Sequence, residues 1–142
     1  MNIAKLTLLL FLAFPTSIAA GEKPSDIVKK FCELDFSGHR LNGVKYKKII
    51  PLVNYPDEPS WDTAISIKSY ILESEKIDGN KAFIKVKYQI IGSWPAELSG
   101  INKYSEELFE LEKFNDEWKI IKYIVYPRVS SQVMCSEYKY CK

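Results

Sequence analysis

The side chains with the clearest capacity for acid–base chemistry are two aspartates, Asp35 and Asp62, and the single histidine, His39. Asp35 stands near the end of the first predicted helix, where it could face the opening of a cavity inside the fold. A carboxylate in contact with solvent is the simpler interpretation. Asp62 follows a tryptophan and could cap the turn into the first strand. His39 comes just after a helix end, where a cation complements the helix dipole. We therefore predict no catalytic residue and expect water to reach all three groups.

Other reactive patterns are absent from the sequence. There is no Gly-rich phosphate loop, no Ser–His–acid arrangement and no Cys–His pair, and three cysteines with one histidine lack the paired spacing of a metal site. Neither a metal nor a cofactor is predicted. Cys135 and Cys141 bracket five residues near the C-terminus and are the natural disulfide pair, which leaves Cys32 as a free thiol buried in the first helix. The competing pairing joins Cys32 to one of the two other cysteines.

Composition places the chain among ordinary globular domains. Its 142 residues suit one domain, and 46% of them are hydrophobic while 27% are charged. The formal net charge of +2 offers no electrostatic footprint for a nucleic acid and no strong attraction to a membrane surface. We therefore expect no nucleic-acid partner.

The first 20 residues have the pattern of a secretory signal peptide. Lys5 is their single charge, residues 6–14 are almost continuously apolar, and Ala19 and Ala20 supply small residues for cleavage. The apolar run is shorter than the roughly 20 residues that span a bilayer, so no stable membrane insertion is expected. The sequence predicts a signal peptide over 1–20, a single mature domain over 21–142, and a secreted or periplasmic protein.

Hydrophobic spacing predicts helices first and strands afterwards. A helix opens at Ser25 or Pro24 and ends before Gly38, which is expected to take a left-handed conformation. A short helical piece over 44–50 and a proline-rich irregular segment over 51–64 follow. Four strands in a meander are predicted, over residues 65–77, 81–92, 104–114 and 118–126.

The second of these strands predicts how the sheet is covered. Ala82, Ile84, Val86, Tyr88 and Ile90 fall at every second position, so one face is apolar and the other largely polar. This pattern is typical of a central antiparallel strand with one covered face. The fold class is therefore α+β, with the N-terminal helices packed on the apolar face of the sheet.

Large aromatic residues are the candidates for contacts with a ligand held inside such a fold. Tyr70 and Tyr88 lie on strands, Trp94 stands where a loop could rim an opening, and Trp118 begins the last strand. Tyrosine and tryptophan combine an apolar ring with one polar group, which suits a pocket wall. The alternative is that these rings belong to the core or to the surface.

Three stretches resemble the nuclear transport factor 2-like superfamily: the hairpin LEKFNDEWKI over 111–120, the strand YQIIG over 88–92 and the helix over 25–37. The resemblance covers roughly residues 25–130 and implies a cone, in which helices pack on a strongly curved antiparallel sheet of about four strands. It also allows a homodimer. The chain resembles small exported members of that superfamily.

The resemblance implies several functions, because this superfamily includes enzymes and noncatalytic domains. The favoured prediction is an exported noncatalytic domain that binds a small apolar or amphipathic ligand, or a protein partner. One alternative is a hydrolyase or isomerase of the ketosteroid-isomerase type that uses Asp35 or Asp62 with a tyrosine. The other is a protein-interaction or inhibitor module that works through the outer face of the sheet.

Overall fold

The computed structural model describes residues 21–95 and 103–139, in which helices pack on one face of a five-stranded sheet. The helices are α1 (Pro24–Phe36), α2 (Gly43–Tyr46) and α3 (Ser131–Tyr138), with 3-10 turns at His39–Leu41 and Ile50–Leu52. The strands are β1 (Ala64–Asp78), β2 (Lys81–Trp94), β3 (Lys103–Phe114), β4 (Glu117–Ile120) and β5 (Arg128–Ser130). The predicted α+β class is confirmed.

Helix α1 begins and ends close to the predicted residues. The Asp26 carboxylate accepts a hydrogen bond from the Lys23 backbone N–H at 3.1 Å, and Pro24 occupies the first turn, where its missing N–H costs nothing. Gly38 follows the helix with φ of 79°, and its N–H donates to the Asp35 carbonyl at 2.8 Å. The predicted left-handed glycine is therefore confirmed.

The sheet is strongly curved, and its strand order is β4-β3-β2-β1-β5. Strands β1 to β4 pair antiparallel in sequence order, so β2 is the central strand, as predicted. The concave face of β2 buries Ala82, Ile84, Val86 and Tyr88, four of the five residues that the alternation selected. The fifth, Ile90, is half-buried.

Apolar side chains from α1 and the sheet fill the space between them. Phe31 of α1 meets Phe109 of β3 edge to face, with ring centroids 5.5 Å apart, and Trp118 of β4 is 7% exposed. Each buried large side chain contributes roughly 1.5–3 kcal/mol of transfer free energy. No helix among the described residues is both long and apolar enough to cross a membrane.

The C-terminal part of the prediction is wrong in two respects. Strand β4 ends at Ile120 rather than at residue 126, because residues 121–127 leave the sheet and turn their carbonyls toward buried side chains. The chain then adds β5, which pairs parallel with β1, and α3, which Ser130 caps by accepting from the Val133 N–H at 3.2 Å. The sheet is thus a four-stranded meander plus a fifth, parallel strand.

Candidate functional site

Both arginines of the chain are buried, and their side chains bind the same backbone carbonyl, that of Tyr126. The sequence has 20 basic residues, of which only Arg40 and Arg128 are arginine, and these two side chains belong to residues 5% and 4% exposed. Arginine offers five donors in a rigid planar fork, whereas lysine presents a compact charge that hydration stabilises more strongly. The two positions therefore use a property that lysine lacks.

Arg40 joins three segments of the chain through one guanidinium group. Its Nε donates to Glu58 at 2.8 and 3.1 Å, and its Nη1 donates to the Asp35 carboxylate at 3.1 Å. The remaining donors reach the carbonyls of Ile124, at 2.5 Å, and Tyr126, at 3.2 Å. The end of α1, the proline-rich segment 53–63 and the segment 121–127 are therefore fixed to one another.

Glu58 is the anion that holds the proline-rich segment. Besides Arg40, it accepts from the Tyr55 hydroxyl at 2.7 Å and from the Trp61 indole N–H at 2.8 Å. The Arg40 guanidinium lies between the rings of Phe31 and Trp61, 5.5 and 5.3 Å from their centroids. A segment that the sequence marks only as irregular is thus anchored by a charged and aromatic cluster.

Asp35 is the most buried carboxylate of this network. It is 2% exposed, and its Oδ2 accepts from Arg40 and, at 3.0 Å, from the Arg128 backbone N–H, while Oδ1 has no hydrogen-bond partner among the described residues. Burial raises the pKa of Asp35, and the charge of Arg40 opposes this shift. The expectation of a solvated Asp35 is therefore wrong, because the segment leading into β5 covers the end of α1.

Tyr126 is held by both arginines in an unusual backbone conformation. Its φ is 63°, in the left-handed region that bulky residues rarely adopt. Its carbonyl accepts from Arg40 and, at 2.6 Å, from Arg128, whose side chain also binds the Val125 carbonyl and Glu107. Strain of this kind costs on the order of 1–3 kcal/mol and persists where surrounding contacts impose it.

The same contacts present four aromatic rings at the surface, which we call the aromatic patch. Its members are Tyr55, Trp61, Tyr123 and Tyr126. The Trp61 ring meets Tyr123 and Tyr126 edge to face at 6.0 and 5.8 Å, and Tyr55 meets Tyr123 at 5.8 Å. Tyr123 and Tyr126 remain 41% and 38% exposed. Exposed tyrosines and a half-buried tryptophan above a buried arginine are residue types typical of binding surfaces.

A cleft of about 270 Å³ opens beside the patch, and Trp61 forms one of its walls; we call it the Trp61 cleft. Its other lining residues include Arg40, Asn42, Tyr46, Asp57 and Ser60. Burial and the charge of Glu58 raise the pKa of the Tyr46 hydroxyl. Within residues 21–95 and 103–139, no ion pair engages Asp57. The cleft thus combines an aromatic wall, hydroxyl groups and one uncompensated carboxylate.

The four aromatic residues selected from the sequence lie outside this cleft. Tyr88 is 2% exposed, with its hydroxyl 3.5 Å from the Cys32 sulfur, and Trp118 belongs to the core. Tyr70 is half-buried against Phe36, with ring centroids 5.7 Å apart. Trp94 is half-buried and packs against a small cluster under α3. Their assignment as ligand contacts stays a prediction.

The other residues singled out in the sequence do not line the Trp61 cleft. His39 is half-buried, with Nδ1 3.0 Å from the Leu34 carbonyl oxygen, and Asp62 is exposed at a bend. Cys32 is a buried free cysteine, as predicted, and burial raises the pKa of its thiol to about 12. Cys141 lies outside the described residues, so its pairing with Cys135 stays a prediction.

Sequence reasoning missed Arg40, Glu58 and Arg128, which organise the site. The rarity of arginine in a lysine-rich chain was an available signal, but nothing local points to partners more than 80 residues away. In the part of the chain that the structure describes, no group of His, Cys, Asp and Glu could hold a metal ion.

Comparisons with known proteins add one structural similarity. No protein-family model and no curated protein matches the chain. Among solved structures, a Campylobacter jejuni protein described as an NTF2-like transpeptidase of unproven activity matches 72% of this chain and 100% of its own. The TM-score is 0.41 and the identity 13%. A similarity at this level carries no fold, ligand or activity over to this chain.

Proposed function

We propose that this chain is an exported, noncatalytic binding domain, and that it binds a small amphipathic ligand in the Trp61 cleft. The observation that carries the proposal is the position of Trp61, which stacks on buried Arg40 and walls an open cleft. An apolar part of the ligand would cover this ring, which rewards burial by about 25 cal/mol per Å².

The charge of the cleft sets the polar part of the ligand. Arg40 is neutralised by Glu58 and Asp35, which its donors reach at 2.8 and 3.1 Å. Asp57 is exposed and adds a negative charge that no described cation offsets. A cationic or neutral polar group is therefore favoured beside Asp57, and an anionic group is repelled.

The geometry around Asp35 favours a noncatalytic role over the isomerase alternative. A general base must come within hydrogen-bond reach of its substrate. Asp35 lies behind Arg40, and its Oδ2 is bound by two donors. It does not line the Trp61 cleft or the cavities beside Trp118 and Tyr70. The raised pKa of this carboxyl follows from burial inside an ion-paired network, which is a structural cause.

Three small probes with one ring and different charges test the ligand class. Benzylammonium, benzyl alcohol and benzoate are titrated into the isotope-labelled chain, and the Gly43 amide and Trp61 indole resonances are followed by NMR. Both residues line the cleft. We expect the affinity to fall in that order, with benzylammonium at least about threefold tighter than benzoate, as one exposed charge contact allows.

Two variants test whether the charge of Asp57 sets the preference for the cationic probe. Asp57→Asn should reduce the preference for benzylammonium over benzyl alcohol without changing the fold, because Asp57 makes no ion pair in the described chain. Ile71→Ala removes an exposed apolar side chain from a distant strand and serves as the matched control. Shifts that lie away from the cleft, or tightest binding by benzoate, would refute the proposal.

Export is tested independently of the ligand. The support for it is the sequence of residues 1–20, and cleavage is expected after Ala19 or Ala20. The intact mass of the protein recovered outside the cytoplasm decides the point, and a recovered chain that retains Met1 would contradict it.

A further inference from the structure

Strand β3 has a partner along only part of its outer edge. On one side it pairs with β2 over Lys103–Glu112, whereas on the other side β4 covers only Leu111–Phe114. One further backbone bond, from the Ile121 N–H to the Glu110 carbonyl at 3.0 Å, ends this pairing. Residues 103–109 are therefore without a strand on that side among the described residues, because the chain leaves the sheet after β4.

The open edge presents backbone groups of known direction. The Glu110 carbonyl points to the β4 side, and the β2–β3 register runs without a bulge from residue 103 to 112. In an antiparallel strand, the N–H and C=O groups of alternate residues point to the same side. The groups of Tyr104, Glu106 and Leu108 therefore point outward. The open stretch of seven residues, 103–109, is long enough to pair with a strand of the usual length, about five to six residues.

The side chains of these three residues form a pattern of apolar, acidic, apolar. Tyr104 and Leu108 are 58% and 48% exposed, and Glu106 stands between them on the convex face. The pair from Lys85 to Glu106, at 3.4 Å, lies at an exposed position and offsets the charge only weakly. Every charged residue that faces this side of β3, from Glu106 to Glu112, is a glutamate.

From these observations we propose that the open edge of β3 is a strand-addition site for an extended segment of a partner protein, with a basic residue between two apolar ones. Such a segment would place its cation opposite Glu106 and its apolar side chains opposite Tyr104 and Leu108. A second copy of this chain fits less well. Pairing its Leu108 with Tyr104 sets Glu106 against its own equivalent, and like charges directly opposite destabilise a sheet.

The test uses a capped heptapeptide, Thr-Val-Thr-Lys-Thr-Val-Thr, and the isotope-labelled chain from Gly21 onward. We expect amide shifts and slowed hydrogen exchange at Tyr104, Glu106 and Leu108. A control peptide with glutamate in place of lysine should bind about fivefold more weakly, which is the effect of one cross-strand charge pair. Since the proposed edge lies outside the Trp61 cleft, this result is independent of the benzyl probes.

Glu106→Pro is the deciding variant. Proline removes an N–H that faces the open edge and breaks no bond to β2, so the fold should persist while peptide binding is lost. If this variant fails to fold, Leu108→Lys keeps every backbone group and should weaken binding of the lysine peptide. Three results would overturn the proposal: shifts away from β3, protected edge amides in the chain alone, or a dimer that forms through this edge.

Discussion

At the scale of single residues, the choice of arginine at position 40 explains why several segments hold together. One planar group binds two carboxylates and two carbonyls, and it lies between two aromatic rings. A buried charge is stabilising only when its partners are complete, and removing one partner leaves the others desolvated and unpaired. The stability of the site therefore depends on the shape of the cation as well as on its charge.

Arg40→Lys tests this dependence. Lysine keeps the charge but cannot reach Glu58, Asp35 and the two carbonyls together, so we expect a loss of about 2–4 kcal/mol in the free energy of unfolding. Urea denaturation measures the change. Lys47→Arg, at an exposed position, should stay within about 0.5 kcal/mol of the parent. A loss below about 1 kcal/mol for Arg40→Lys would mean that the network contributes little.

Cys32 gives a prediction about pH. Its pKa is raised to about 12 in the folded chain by burial, whereas an unfolded thiol has a pKa of about 8.5. Above about pH 8.5 the unfolded chain loses this proton and the folded chain keeps it, so stability falls as the pH rises. Between pH 8 and 10 the loss should be about 1–2 kcal/mol by urea denaturation. Cys32→Ala should remove this part of the slope, and equal slopes in the two proteins would contradict the assignment.

At the scale of elements, regular periodicity was predictable from the sequence and long-range pairing was not. The boundaries of α1, β1, β2 and β3 follow from local spacing, turn residues and the glycine after α1. The run over residues 118–126 has the composition of a strand, yet it leaves the sheet after Ile120. The Ile124 carbonyl of this run accepts a hydrogen bond from Arg40, 84 residues earlier in the chain. No local rule anticipates that this long-range bond replaces a bond within the sheet.

Long-range contacts also limit what the sequence predicts about the candidate site. Its position at a helix end predicts a solvated Asp35, yet this carboxylate is buried because β5 returns beside β1 and donates a backbone N–H to it. Sequence reasoning placed Cys32 in the interior correctly, since it falls on the apolar side of α1. It could not place a cleft whose walls come from segments of irregular structure.

Two glycines at helix ends, one after α1 and one at the first position of α2, offer a matched test of element geometry. Gly38 has φ of 79°, and a Cβ there would meet the Val133 side chain of α3 at 3.2 Å, whereas Gly43 has open space around it. Gly38→Ala should destabilise by about 1–2 kcal/mol. Gly43→Ala should be neutral or stabilising, by up to about 1 kcal/mol, because it restricts the unfolded chain. Thermal unfolding compares the pair, and equal effects would mean that Gly38 is not required after α1.

At the scale of the whole molecule, one departure of the described chain from the sheet affects both candidate binding surfaces. The segment 121–127 departs after β4, and this one departure carries the patch residues Tyr123 and Tyr126 and uncovers the edge of β3. The core of α1 and the concave sheet face stays packed beneath them. Binding surfaces on irregular segments above a rigid core are a common arrangement in proteins.

The C-terminus supplies the last prediction, a disulfide between Cys135 and Cys141. Helix α3 ends at Tyr138, and Lys139 follows in a left-handed conformation with φ of 50°, a geometry that turns the chain at a helix end. Such a turn favours a short loop back toward Cys135, while Cys32 stays buried and reduced in the core. Closing a loop of this size stabilises by roughly 2–3 kcal/mol in the chain-entropy model. Peptide mapping without reductant should recover the Cys135 and Cys141 peptides joined and the Cys32 peptide free, and any bridged peptide containing Cys32 would show the pairing to be wrong.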